Sequence, residues 1–394
     1  MNWIDGDRQT TTSYWQHELG IDWTRVSCRI TIRNTPLKCV TDVKNNPTPG
    51  IQKYFLYLES NSPTLAADAQ AYSALTLNVP SIESVGFDDF FSYYEPLYDR
   101  LGSGAAQTLD TVIDNLKSVN PRLKFGITLY ENELDPQHNP YINATRLPPA
   151  VKAKFDYIHL FLHYRANASK FAQYVDQAKA YFPNAEIIAG VYAYDRIDYF
   201  PCAQGDPAKT PCTQAQELAY FNQALLIQEQ LLHDHQVVAL EIFPGYFGAE
   251  TNLYGPGSNS DNLACRNVLR CVQTTLAMRD SLLTVYSAFQ ANAPVTLPGV
   301  SAPAMPAVQV SPNPWRQNKH AGLPIRFSPV SAGSTLRIYS VSSHLVRTLG
   351  VSGVGSLDWD LRNEHGERVA SGLYLYNLTN AQGQSVQGKF AIID

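Results

Sequence analysis

Five short stretches of the chain carry carboxylates, aromatic rings or both. They are Asp88-Asp89, Tyr130-Glu131-Asn132-Glu133, His163-Tyr164-Arg165, Tyr192-Ala193-Tyr194-Asp195, and Glu241 with the following Phe243-Pro244-Gly245-Tyr246. Each lies at or near the end of an apolar run rich in β-branched residues. Paired carboxylates suit the cleavage of a glycosidic bond, in which one carboxylic acid protonates the leaving oxygen and a second carboxylate acts as nucleophile or base. Aromatic rings add flat faces for sugars and help to exclude water.

The candidate catalytic residues are therefore Glu241, Asp88, Asp89 and Glu131. Tyr130, His163, Tyr164, Tyr192, Tyr194, Asp195 and Tyr246 are candidates for binding substrate. Each has a plainer role to exclude. The Asp88-Asp89 pair could cap a helix. Of Glu131 and Glu133, which stand where a loop begins, Glu131 is preferred. His163 could be a hydrogen-bonded core histidine, and Asp195-Arg196 a surface pair. Glu241 sits in Val237-Val238-Ala239-Leu240-Glu241-Ile242, and its parity with Val237 and Ala239 aims it at a barrel interior. There it must be paired, protonated or catalytic. A structural ion pair with Arg25 or Arg29 is the alternative.

Strand-like and helix-like stretches alternate before residue 290. Expected strands run over Asn2–Asp5, Trp23–Ile32, Tyr54–Glu59, Glu83–Phe91, Lys124–Glu131, Tyr157–Tyr164, Glu186–Asp195 and Val237–Phe243. Helical spacing marks Thr10–Leu19, Leu65–Leu75, Ala105–Val119, Pro149–Phe155, Ser169–Tyr181, Gln214–His233 and Leu263–Phe289. Eight strands alternating with helical stretches at this length imply an α/β fold, a closed (β/α)8 TIM-like barrel with its site at the C-terminal strand ends. Residues 1–292 form this domain, 293–311 a Pro-rich linker, and 312–394 a domain of short strands separated by turn signals, a β-sandwich.

Several other classes are disfavoured. A net charge of −5 without a Lys/Arg cluster argues against a nucleic-acid partner. GxSxG, HExxH, CxxC and nucleotide-binding motifs are missing, so neither cofactor nor metal is expected. No apolar run suffices to span a bilayer. Met1–Asp5 does not read as a signal peptide, but the cysteines point to an oxidising compartment, as expected of a secreted or surface protein whose leader has been removed. Cys28/Cys39, Cys202/Cys212 and Cys265/Cys271 form three local couples. Cys202/Cys212 is the firmest. Cys265/Cys271 is weaker, because six residues apart within one helix is poor disulfide geometry.

The C-terminal stretch carries Ser311-Pro312-Asn313-Pro314-Trp315, Leu336-Arg337-Ile338-Tyr339, Val346-Arg347-Thr348-Leu349, Trp359-Asp360-Leu361-Arg362-Asn363 through Gly372-Leu373-Tyr374-Leu375-Tyr376, and Gly388-Lys389-Phe390. It resembles the Ig-like module of flagellar hook-capping proteins and the modules appended to many secreted bacterial enzymes. That pattern usually has Gly where Leu361 stands, so the turn is expected to differ locally. The resemblance implies secretion or surface attachment, and contact with a cell surface or secretion machinery. Gly86-Phe87-Asp88-Asp89-Phe90-Phe91 and Leu123–Glu131 are similar to segments of bacterial glycosidase-like barrels of unassigned activity. A secreted glycoside hydrolase acting on a carbohydrate substrate is the first expectation. A non-catalytic carbohydrate- or surface-binding exoprotein is the second.

Overall fold

The computed structural model describes residues 2–4, 23–26, 36–58, 62–195, 201–243, 269–291, 293, 295–298, 308–331, 333–342, 344–351, 355–380 and 385–393. The chain forms two compact units, 1–287 with 297–299, and 288–296 with 300–394.

The first unit is built on eight parallel strands: β1 (Asn2–Ile4), β2 (Trp23–Val26), β3 (Lys53–Tyr57), β4 (Ile82–Phe87), β5 (Lys124–Tyr130), β6 (Tyr157–Phe161), β7 (Glu186–Tyr192) and β8 (Ala239–Phe243). They pair in sequence order, and Asn2 against Ile242 closes the ladder. Parallel strands covered on both faces need apolar residues at nearly every position. The burial of β5 and β6 shows this, with only Lys124 in those two strands part-exposed.

Lumen-facing side chains follow the two-residue period and stack in layers. Phe55, Tyr157 and Ile188 pack together with Ala239 against them. Tyr130, Phe161, Tyr192, Tyr194 and Phe243 form an aromatic cluster at the C-terminal strand ends. On β6 and β8 the residues between these layers are His159 and Glu241.

Helices follow the strands: α1 (Pro36–Asn45), α2 (Leu65–Thr76), α3 (Phe90–Leu101), α4 (Gly104–Lys117), α5 (Pro149–Lys152), α6 (Phe171–Tyr181), α7 (Gln214–His233) and α8 (Leu269–Ala291). Two of them differ from the sequence expectation. β4 stops at Phe87 instead of reaching Phe91, because Asp89 adopts a left-handed conformation (φ 44°) and Phe90 opens α3. Pro96 inside α3 masks its helical pattern, yet Phe90, Phe91, Tyr94 and Leu97 bury one face. α1 begins on Pro36, whose fixed φ suits a first turn, and buries Cys39, Val40 and Val43. The helix expected at Thr10–Leu19 lies outside the described residues.

The second unit has two sheets. One is ordered β10 (Trp315–Arg316), β16 (Ser385–Ile393), β15 (Gly372–Thr379), β12 (Thr335–Ser340), β13 (Leu345–Gly350); the other β14 (Gly355–Trp359), β11 (Ile325–Val330), β9 (Gln309–Ser311). Residues from both form one core around Trp315, Phe327, Trp359 and Phe390. The expected linker is shortened at its end, since Gln309–Ser311 pair with β11. Leu361 takes φ 60° while 2% exposed. Packing in the core thus holds a leucine in the left-handed turn that glycine would adopt freely.

Gly190 faces the Phe161 ring so closely that a Cβ there would collide with it. Gly190→Ala is expected to lower stability by about 1–3 kcal/mol, the range for overpacking a core. An unchanged urea midpoint would contradict this packing.

Candidate active site at the strand ends

Tyr130, the last residue of β5, centres the site. Its hydroxyl donates to Asp89 Oδ1 at 2.5 Å and accepts from the Tyr192 hydroxyl at 3.3 Å. The His163 imidazole stacks on the phenol ring, with centroids 3.5 Å apart and planes at 18°. Burial, reinforced by Tyr192, Asp89 and Asp88, pushes the phenol well above its ordinary pKa, so it acts as a donor. Asp89 occupies the N-cap position of α3 without making a side-chain capping bond. Capping therefore does not account for its carboxylate. Asp88 is half-buried beside it.

The chain tightens into a 3-10 turn, Glu131–Leu134, directly after Tyr130, and this turn sorts two glutamates. Glu131 is 2% exposed and accepts from His163 N (2.6 Å), Tyr164 N (2.9 Å) and Asn167 Nδ2 (3.1 Å). Burial raises its pKa and these donors oppose the rise. Its carboxylate holds the loop after β6. Glu133 keeps partial exposure and accepts from Tyr130 N at 2.9 Å. Desolvation, with neighbouring Asp89, Glu95 and Glu131 adding to it, pushes Glu133 up to about 8. Asp89 and Glu133 thus flank Tyr130, one on its hydroxyl and the other on its backbone.

His163 Nδ1 lies 3.1 Å from Asn132 Oδ1, and Asn132 Nδ2 lies 3.1 Å from His138 Nε2. With the amide in this orientation, His163 donates from Nδ1 and His138 accepts at Nε2. Tyr164 contributes its backbone N–H to Glu131 and is itself half-buried.

The rim after β7 is held by ionic contacts. Arg165 donates to Glu217 Oε2 (2.9 Å) and to the carbonyls of Tyr192 (2.6 Å) and Tyr194 (2.9 Å). Asp195 receives both Nε (2.9 Å) and Nη2 (3.2 Å) of Arg270 and the Thr274 hydroxyl (3.0 Å). Arg270 also donates to the carbonyl of Cys212 at 2.6 Å. Cys202 and Cys212 are disulfide-bonded with Cα atoms 4.6 Å apart, as their spacing predicts. Cys39 and Cys271 are also disulfide-bonded, to partners outside the described residues. Cys28 and Cys265, the expected partners, lie outside the described residues.

Glu241 is fully buried and lies 2.7 Å from His159 Nδ1. It stands two residues before Phe243 on β8, which places it one layer below the aromatic cluster. His159 is the partner among the described residues; the side chain of Arg25 and all of Arg29, the alternative partners, lie outside them. Tyr246 lies outside the described residues. Sequence reading also passed over His159, Asn132, His138, Glu217 and Arg270. The detectable signal for His159 was its place in the alternation Tyr157, His159, Phe161.

Among the described residues, no three His, Cys, Asp or Glu side chains are grouped to hold a metal ion, and no helix is long and apolar enough to cross a membrane.

No protein-family model and no curated protein sequence matches the chain. Among solved structures it is similar to PorZ, a surface component of the type-IX secretion system of Porphyromonas gingivalis: 28% identity over 25% of this chain and 13% of that one, TM-score 0.21. It is also similar to β-glucuronidase 2 of Bacteroides uniformis, with 10% identity over 99% of this chain and 44% of that one, TM-score 0.41. A GH18 chitinase from Pseudoalteromonas aurantia gives 13% identity over 71% of this chain and 98% of that one, TM-score 0.40. The chain thus spans less than half the length of the first two. The fold assignment rests on the strand order itself.

Arg270→Leu would leave the buried Asp195 carboxylate without its two-pronged partner. Breaking such a pair is expected to cost about 3 kcal/mol. Chemical denaturation checks this, and an unaltered midpoint would mean that Thr274 alone satisfies Asp195.

Proposed function

We propose that the first unit is a (β/α)8 glycoside hydrolase, acting outside the cytoplasm on a carbohydrate substrate, and that the second is an Ig-like module directing secretion or surface contact. The observation that carries the reading is the pair of carboxyl groups on either side of Tyr130, one of them raised to about 8 yet partly exposed. Glu133 is the general acid. Near neutral pH it holds a proton, as protonation of a leaving glycosidic oxygen requires. Asp89, oriented by the Tyr130 hydroxyl, is the anionic partner facing the positive charge that develops at the anomeric carbon. As the glycosidic C–O bond breaks, the Glu133 proton passes to the departing oxygen, and the water that supplies the new C–O bond gives up a proton to the carboxylate pair. Asp88 borders the same site. The Tyr130–His163 stack and Tyr192 offer flat faces for the sugar. Glu131 acts here as a positioning residue through the His163–Tyr164 backbone, and Glu241 as a structural partner of His159. The disulfide-bonded cysteines support an oxidising compartment.

Glu133→Gln preserves an acceptor for Tyr130 N and removes the proton. Turnover on a responsive glycan is expected to fall about 10²–10⁴-fold. Activity of the unaltered protein should decline as pH rises through about 8, where the acid ionises. The stability consequence has a definite sign. A carboxyl raised from 4.5 stabilises the fold fully below 4.5, and this contribution is lost as pH climbs towards about 8. Glu133→Gln should therefore be as stable as the parent, or more so, at pH 8. Full activity in the variant would remove Glu133 from the chemistry. No hydrolysis across a broad glycan panel, with binding retained, would favour a non-catalytic carbohydrate-binding barrel.

A further inference from the structure

The five-stranded sheet of the second unit has an outward face that its core does not use. Along β12, β15 and β16 the inward residues are Leu336, Ile338, Tyr374, Tyr376, Leu378, Phe390 and Ile392. The alternate residues turn the other way. The strand registers set them in two rows: Arg337 beside Asn377 beside Gln387, and Tyr339 beside Leu375 beside Lys389. Arg337, Gln387 and Lys389 are exposed, while Tyr339, Leu375 and Asn377 are half-exposed.

Three features show what this face would accept. The first is charge. The five strands of the sheet contain Arg316, Arg337, Arg347 and Lys389 but no Asp or Glu. Residues 308–394 hold eight Lys/Arg against five Asp/Glu, while the rest of the chain holds 22 against 30. Arg326 and Arg347 are paired with Asp358 and Glu364, whereas Arg337 and Lys389 have no ion-pair partner among the described residues. The second is a half-exposed amide, Asn377, in the middle of the first row. The third is the alternation of amide and guanidinium groups with a phenol ring and a leucine on a flat surface. Strands spaced about 4.8 Å apart spread these groups over roughly 10 Å.

We propose that this face binds an acidic polysaccharide chain non-covalently, independently of the barrel's chemistry. Uronate carboxylates pair with Arg337 and Lys389, and ring C–H faces lie on Tyr339 and Leu375. Two unpaired cations are fewer than the four to eight that mark anionic membrane surfaces. A single ring gives no series of stacking platforms for a nucleic-acid strand.

Native gel electrophoresis of the full chain tests this, using gels containing polygalacturonate or an uncharged galactan. Polygalacturonate should retard the protein and galactan should not. The double substitution Arg337→Ala with Lys389→Ala should weaken retardation at least tenfold without changing thermal unfolding. Lys389→Glu alone should weaken it as a second, independent variant. Equal retardation of parent and double variant would overturn the proposal, as would no retardation by polygalacturonate. Retention by anionic phospholipid vesicles or single-stranded DNA, but not by polygalacturonate, would also overturn it.

Discussion

A carboxylate withdrawn from water must be met by donors or must take up a proton. This constraint sorts the acidic side chains around the barrel mouth. Glu131 gathers three donors from the loop after β6. Asp195 gathers Arg270 and Thr274, Glu217 takes Arg165, and Glu241 takes His159. Glu133 has one backbone donor from Tyr130 and acidic neighbours, and a proton meets the remaining demand. Glu131 fixes backbone, and Asp195, Glu217 and Glu241 each hold a side-chain partner. Glu133 has the character of an acid ready to transfer a proton.

Tyr130 connects these roles. Its backbone fixes Glu133, its hydroxyl fixes Asp89, and its ring carries His163. The aromatic layer around it separates the open end of the barrel from the Glu241–His159 pair below. Gly126 and Gly190 keep the lumen narrow there; a Cβ on Gly126 would sit 3.4 Å from His159 Nε2. The polar pair is thus enclosed by close backbone and ring packing, which strengthens the interaction by excluding water.

Much of this was legible in the sequence. Short β-branched runs marked the strands, and their ends marked the aromatic and acidic cluster. The burial of Glu241 followed from parity alone. Its partner did not, because His159 lies two strands away and no local pattern pairs them. The boundary at Asp89 was hidden because a left-handed residue ended β4 inside an apolar run, and Pro96 disguised the helix beyond it. Strand alternation cannot separate Glu131 from Glu133, because residues two apart share a face. A 3-10 turn begins after Tyr130 instead, and it sends Glu131 into the protein while leaving Glu133 partly exposed. In the second unit the strand pattern was readable, whereas the rows of outward residues needed the cross-strand register.

The central claim is that Glu133 holds its proton near neutral pH. Carbon-13 NMR of glutamate side-chain carboxyls, assigned by difference against Glu133→Gln, measures this directly. A resonance titrating near 8 that is missing from the variant is the predicted result. A Glu133 carboxyl titrating in the ordinary carboxylate range, about 4 to 5, would contradict the account.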